Sequence, residues 1–176
     1  TCFGYTGYRN ARFGRIECHE AICSWSRDIL LEAKSVAEEE GWSCLHAIVD
    51  SIWLKDEWER DKEAQTESIG RVLYKIEKLS GIPIELEDVY DWIAFVPNRT
   101  TGSSSLTKYF AYGERGWKIR GIELRQHSTC EWVKDMQTRV LSELNEGGHV
   151  KGVEASLKHY RREAVRMREG EVPLSE

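Results

Sequence analysis

Asp50 is the side chain whose surroundings most demand a chemical explanation. The run Trp42-Ser-Cys-Leu-His-Ala-Ile-Val49 leads into it, and Ile52-Trp-Leu54 resumes the apolar character after Ser51. Trp42, Cys44, His46 and Ile48 alternate with Ser43, Leu45, Ala47 and Val49, a pattern that predicts a strand buried on both faces. An unpaired carboxylate is costly to bury. Asp50 therefore needs hydrogen-bond donors, a cation, or an edge position facing water. Asp-Ser also suits a tight turn, and a plain turn between two strands accounts for the same residues.

A thiol and imidazole set is the other chemistry to weigh. Cys18, His19, Cys23, Cys44 and His46 could be imagined around zinc, but no C-x-x-C pair exists. Cys18 and Cys23 stand about 140° apart on a helix, which splays them rather than pairing them. The five cysteines are odd in number and irregularly spaced. They do not read as a disulfide framework, and a reducing, cytoplasmic setting is expected.

Charge is unevenly spread. The net charge is -5, which argues against a protein that coats nucleic acid generally. Residues 1–15 nevertheless carry Arg9, Arg12 and Arg15 with no acid, and 158–168 carry Lys158, Arg161, Arg162, Arg166 and Arg168 against Glu163. Residues 56–63 are mostly acidic. Such a field is compatible with a nucleic-acid groove on one face, and equally with solvated helix faces. No run of about 18 apolar residues exists to span a membrane, and no signal-peptide pattern precedes the first motif.

These residues need elements to hold them. The chain has 176 residues, 40% of them hydrophobic and 31% charged, enough for one good core or two small ones. Residues 1–14, with three glycines among aromatics and arginines, read as a turn-rich connector. From Ile16 to Glu40, Ile22, Trp25, Ile29, Ala33, Val36 and Ala37 form one helical stripe, and Gly41 suits the helix end. A hairpin carrying Asp50 follows. A second helix is expected over 59–79, with Ile69, Val72, Leu73 and Ile76 on one face and a stop at Ser80-Gly-Ile-Pro83. Residues 84–96 read as a strand and 97–105 as a loop. Residues 108–112 and 117–124 form a hairpin closed around 113–116. Helices over 129–144, broken by Gly147-Gly148, and over 151–168 complete the chain. Asn98-Arg-Thr100 matches a glycosylation acceptor, here a chance match. There is no internal repeat.

Three segments resemble the family B (polα-like) DNA polymerases, in their archaeal form. Tyr5-Thr-Gly-Tyr-Arg-Asn-Ala-Arg-Phe-Gly-Arg-Ile-Glu17 is similar to the family's Gly-Tyr-x-x-Ala-Arg segment leading from fingers to palm. Phe3-Gly4 falls where the finger motif ends in Tyr-Gly. His46-Ala-Ile-Val-Asp-Ser51 falls where the family carries Tyr-Gly-Asp-Thr-Asp-Ser on a β-hairpin. Thr107-Lys-Tyr-Phe-Ala111 and Arg120-Gly-Ile-Glu-Leu124 are similar to its Lys-Lys-Tyr-x-Gly and Arg-Gly-Ile-Glu elements, with Thr107 and Ala111 as departures. The resemblance begins before Thr1. A processed product, a domain piece or the second half of a split polymerase would each start this way.

The resemblance implies an α+β fold: part of a polymerase palm, helix plus antiparallel hairpin, followed by a mainly helical thumb. It divides the chain into 1–57 (end of fingers and C-terminal palm), 58–128 (palm–thumb connection with helix and β-hairpin) and 129–176 (thumb helices). It implies that Lys108 and Tyr109 touch primer-template DNA, Lys as a point charge and Tyr as a flat amphipathic face. Arg9, Arg12 and Arg120 join them as DNA-binding candidates. It makes Asp50 the residual catalytic and metal-binding carboxylate for Mg2+, a cation that wants several hard oxygen ligands. Ile48 stands in place of the other aspartate, Val49 in place of Thr, and His46-Ala47 in place of Tyr-Gly. The palm motif Asp-x-x-Ser-Leu-Tyr-Pro-Ser, which supplies the remaining carboxylate, appears nowhere in the chain. The expectation is a catalytically impaired DNA-binding fragment or subunit, similar to an archaeal lineage with disrupted catalytic motifs. Magnesium would bind weakly or only with a partner chain. Two alternatives stand beside it. One is the small subunit of an active split polymerase, completed by a second chain carrying the fingers and the missing aspartate. The other is a non-catalytic protein-interaction domain.

Overall fold

The computed structural model describes residues 2–172. The chain forms two compact units, one up to Glu87 and one from Asp88. Helices and antiparallel strands occur in both, the α+β composition expected. The helix after 57 packs into the first unit's core, and the sheet before 128 is hydrogen-bonded to the helix that follows it through Trp92 and Asn145.

The first unit runs α1 (Cys2–Gly7), α2 (Ile16–Glu39), β1 (Trp42–Ile48), β2 (Ser51–Asp56) and α3 (Lys62–Ser80). Its core is Ala33, Val36 and Ala37 of α2 against Val72 and Ile76 of α3, with Trp42, Leu54, Ile69 and Ile84 packed on it. Each such large apolar side chain contributes about 1.5–3 kcal/mol on full burial. The indole N–H of Trp42 donates to Ser68 Oγ at 3.0 Å, so the polar atoms brought into this layer satisfy each other. Asp61 caps α3 by accepting from the Ala64 N–H at 2.9 Å.

A clasp closes the hairpin onto α3. The Asp56 carboxylate accepts from the backbone N–H of Arg60 at 2.9 Å and of Trp58 at 3.1 Å, and from the Arg60 guanidinium at 3.0 Å. Arg60 also donates to the carbonyl of Glu40 and lies 4.3 Å from the centre of the Trp58 ring. Gly41 sits beneath that ring. Its φ is +81°, and a β-carbon there would come within 2.4 Å of Trp58, so both the backbone and the space require glycine. The clasp occupies 57–60, which is why α3 starts at Lys62 and not at 59.

Three expectations for this unit change. Residues 2–7 are helical, although residues 1–14 read as a connector. The Phe3 ring stacks 4.1 Å from His19 of α2 and Thr6 caps its own turn by donating to the Phe3 carbonyl at 2.7 Å, tertiary support that local glycines hide. β1 is not buried on both faces: the sheet has two strands only, His46 alone of β1 is buried, and Leu45 at the register shift is exposed. The α2 stripe is covered only over its last two turns. Trp25, on the same stripe, is 68% exposed.

The second unit is an antiparallel meander followed by a helical hairpin: β3 (Tyr90–Pro97), β4 (Ser104–Gly113), β5 (Gly116–Arg120), a 3-10 turn (Glu123–Arg125), α4 (Glu131–Glu146) and α5 (Gly148–Arg168). Residues 84–89 lack ladder partners, so the expected strand over 84–96 begins at Tyr90. The indole N–H of Trp92 donates to Asn145 at 3.1 Å and ties sheet to α4. Trp92, Phe110, Tyr112 and Trp117 meet edge to face at 5.0–5.9 Å, arrangements favoured by the aromatic quadrupole. α5 inverts the usual amphipathic rule. Ser156, His159 and Glu163 are buried, while Val153, Leu157, Tyr160 and Met167 are exposed. Ser156 donates to the Val140 carbonyl at 2.8 Å, Glu163 accepts from Arg162 at 3.3 Å and Arg166 at 2.8 Å, and His159 Nδ1 meets Arg162 at 2.8 Å while its Nε2 is buried without a hydrogen-bond partner among the described residues.

Candidate nucleic-acid interface

Asp50 stands at the tip of the β1–β2 hairpin, in a two-residue turn with Val49 between the paired Ile48 and Ser51. Ser51 Oγ donates to the Ile48 carbonyl at 3.2 Å. Val49 has φ +54°, left-handed backbone that a β-branched residue rarely adopts, imposed by closing so short a turn between twisted strands. Asp50 is exposed, so no desolvation cost arises. Among the described residues, no three His, Cys, Asp or Glu side chains come together as a metal-holding group. One carboxylate beside an isoleucine does not make the multi-oxygen shell that magnesium requires. This chain's own donors at the turn therefore do not fit that ion unaided.

The second place is a groove of about 570 Å³ in the second unit, lined by Val96, Pro97, Asn98, Arg99, Ser105, Lys108, Gly121, Ile122 and Glu123. Each wall has a local cause. Asn98 folds the β3–β4 loop by accepting from the Thr100 N–H at 2.8 Å, and its backbone N–H and C=O bond Ser103 and Gly102 at 2.7 and 2.8 Å. That turn carries Arg99 at the groove's rim. Lys108 is an exposed residue of β4. Opposite it, β5 ends at Arg120 because Gly121 turns left-handed, φ +69°, where a β-carbon would lie 2.2 Å from the Thr107 carbonyl. The expected strand to Leu124 is cut there, and Glu123 begins a 3-10 turn.

The electrostatics are those of two cations and one anion. Gln137 of α4 donates to Glu123 Oε2 at 3.0 Å and accepts the Leu124 N–H at 2.7 Å. The Gln137 hydrogen bond first, then one from its own backbone N–H, and after these the charges of Lys108 and Arg99 hold the Glu123 carboxyl below its usual range. The groove thus offers Arg99 and Lys108 for an anion, with Asn98 and Ser105 as hydrogen-bonding neighbours.

Of the residues expected to bind DNA, Lys108 lies in this groove. Tyr109 does not accompany it. Successive residues of a strand face opposite ways, and Tyr109 is 5% exposed, its ring 5.8 Å from Phe95. Here it packs the sheet instead of offering a flat face. Arg120 is exposed and pairs across the ladder with Tyr109. Arg9 and Arg12 are exposed in the successive turns between α1 and α2, with Arg12 5.4 Å from the Phe13 ring. They belong to the first unit, Lys108 and Arg120 to the second. Arg99, Glu123 and Gln137 were not legible as site residues. The Asn-Arg-Thr-Thr-Gly turn was the available signal for Arg99, and no local pattern marks Gln137.

The first unit thus presents a hairpin tipped by one carboxylate, and the second a groove with two cations and one anion on a small antiparallel sheet. The chain is 29% identical over 181 residues to DNA polymerase 2 of Saccharolobus solfataricus, covering 93% of this chain and 25% of that protein. It is 28% identical over 176 residues to a DNA polymerase of Archaeoglobus fulgidus, covering 99% of this chain and 20% of the other. DNA polymerase 1 of Pyrococcus abyssi is 27% identical over 84% of the chain and 18% of its own length. The family B DNA polymerase structure from Pyrobaculum calidifontis aligns over 96% of this chain and 20% of its own, with a TM-score of 0.66 and 22% identity, a likeness of fold. No protein-family model matches. The homologues of this chain are archaeal family B DNA polymerases, matched over most of its residues. The chain spans a quarter or less of the length of these relatives.

Proposed function

We propose that this chain is a DNA-binding palm–thumb portion of a family B DNA polymerase homologue, serving replication or repair in the cytoplasm, with impaired catalysis of its own. The observation that carries the reading is homology to archaeal DNA polymerases across most of the chain combined with a hairpin turn holding one exposed carboxylate and Ile48. Lys108, Arg99 and Arg120, with Arg9 and Arg12, supply the positive charge for primer-template phosphates, and Tyr109 supports the strand that carries Lys108. Phosphate contacts of this kind position a duplex without reading its sequence. No helix of the described residues is long and apolar enough to cross a membrane. The loss of Ile48's counterpart carboxylate, as in an archaeal lineage with disrupted motifs, leaves magnesium bound weakly or only when a second chain adds oxygens.

A second reading is a split polymerase, active when another polypeptide supplies the fingers and the missing aspartate. The half-covered α2 stripe favours it, since Trp25 continues an apolar face beyond its own core. Primer extension separates the two. The chain alone, and with Ile48→Asp alone, should extend no primer. With the remaining portion of an archaeal relative added in trans, extension should appear only with Ile48→Asp. Equal extension with Ile48 in place would overturn impairment and establish the split enzyme. Trp25→Ser should abolish any complementation in trans while leaving the isolated chain's stability within about 0.5 kcal/mol.

A further inference from the structure

Glu123 is the groove residue that a phosphate-binding site does not need. Arg99 and Lys108 alone would give the groove two positive charges, and Glu123 leaves it one. The carboxylate is tethered on one side. The Gln137 amide holds it at 3.0 Å and is itself fixed by the Leu124 N–H at 2.7 Å, a two-point brace from α4. Ionised and braced, it faces whatever enters between Arg99 and Lys108. An incoming phosphodiester meets its charge beside those cations and bears its repulsion.

We propose that Glu123, braced by Gln137, is an affinity-limiting residue of the groove: a resident anion that competes with backbone phosphates for Lys108 and Arg99 and keeps the grip on DNA exchangeable. The proposal rests on reading the groove as a nucleic-acid site. Gln137 is the positioning residue. It touches no cation of the pair, yet it decides where the competing charge stands. A weak, exchangeable hold suits a protein that must move along a duplex, since sliding requires each phosphate contact to be released as easily as it forms.

The test is duplex binding by fluorescence anisotropy with a labelled primer-template, across salt. Glu123→Gln keeps the shape and the acceptor for Gln137, so the fold is retained and only the charge changes. It should bind about three- to tenfold tighter than the wild type at low salt, the scale of one like charge removed near a surface. The gain should vanish as salt screens the groove, because the Debye length falls to about 3 Å near 1 M. Gln137→Leu, which unfastens the carboxylate, should give a smaller gain, and Glu123→Ala a gain in the same direction as Glu123→Gln. Glu123→Gln binding equal to or weaker than wild type, while Lys108→Ala still weakens binding, would overturn the role of Glu123 and leave the groove reading standing. Absence of binding by the wild type and by Glu123→Gln at about 50 mM salt would overturn both. Tighter binding that persists undiminished at high salt would also overturn the proposal, since a purely packing effect behaves that way.

Discussion

Gly41→Ala tests the clasp that closes the Asp50 hairpin onto its helices. Two costs add. Alanine at φ +81° carries the left-handed penalty of an L-residue, about 1–2 kcal/mol. Its methyl group would also arrive 2.4 Å from the Trp58 ring and 2.7 Å from the Arg60 guanidinium. The ring must move, and the Arg60–Trp58 contact at 4.3 Å is lost, which costs about 0.5–1 kcal/mol more at an exposed site. The sum is about 1.5–3 kcal/mol. Urea unfolding followed by tryptophan fluorescence measures it, and a double-mutant cycle separates the parts. In a Trp58→Ala background the collision with the ring is gone and only that with Arg60 remains, so Gly41→Ala should cost less than in the wild type by the ring's share, about 0.5–1 kcal/mol. An equal cost in both backgrounds would refute the steric half of the reasoning. A cost near zero in the wild-type background would refute the left-handed assignment as well.

Two further perturbations probe the same unit. Ser68→Ala strands the Trp42 indole N–H, now bonded at 3.0 Å. It should destabilise by about 1–3 kcal/mol, the cost of an unsatisfied donor in a packed layer, read by the same unfolding assay. Asp56 provides a pH test. Burial pushes its carboxyl up, but the N–H groups of Arg60 and Trp58 and the Arg60 charge outweigh this and leave it below its ordinary 3.8. A carboxyl lowered on folding contributes stability fully above its unfolded value, and that stability is lost as pH falls through the folded one. Wild type should therefore lose more stability on acidification below 3.8 than Asp56→Asn does, while equal acid sensitivity would count against the clasp.

Helical periodicity made α2 and α3 legible because their stripes read straight off Ala33, Val36, Val72 and Ile76. It could not tell that the α2 stripe is only half used, since nothing local distinguishes Trp25 from Ala33. α5 was legible as a helix but not in its facing, because its buried side carries the polar Ser156, His159 and Glu163. Asp50 was placed on a hairpin by turn chemistry together with the family resemblance. The groove was legible only at Lys108. Strand alternation already separates Lys108 from Tyr109, whereas Glu123 and Gln137 meet through a backbone turn at Gly121 that brings a 3-10 turn against α4. That is a tertiary coincidence with no sequence period.

The most direct test of the central claim is the affinity of the chain for a primer-template duplex as a function of salt, wild type beside Lys108→Ala. A grip made through phosphates releases counterions, so the logarithm of affinity should fall linearly with that of salt, with a slope of about -0.9 for each phosphate neutralised. Lys108→Ala should flatten the slope by about one and weaken binding alike on unrelated sequences. Binding that ignores salt, or no binding by the wild type at low salt, would contradict the account of this chain as a DNA-gripping portion of a polymerase homologue.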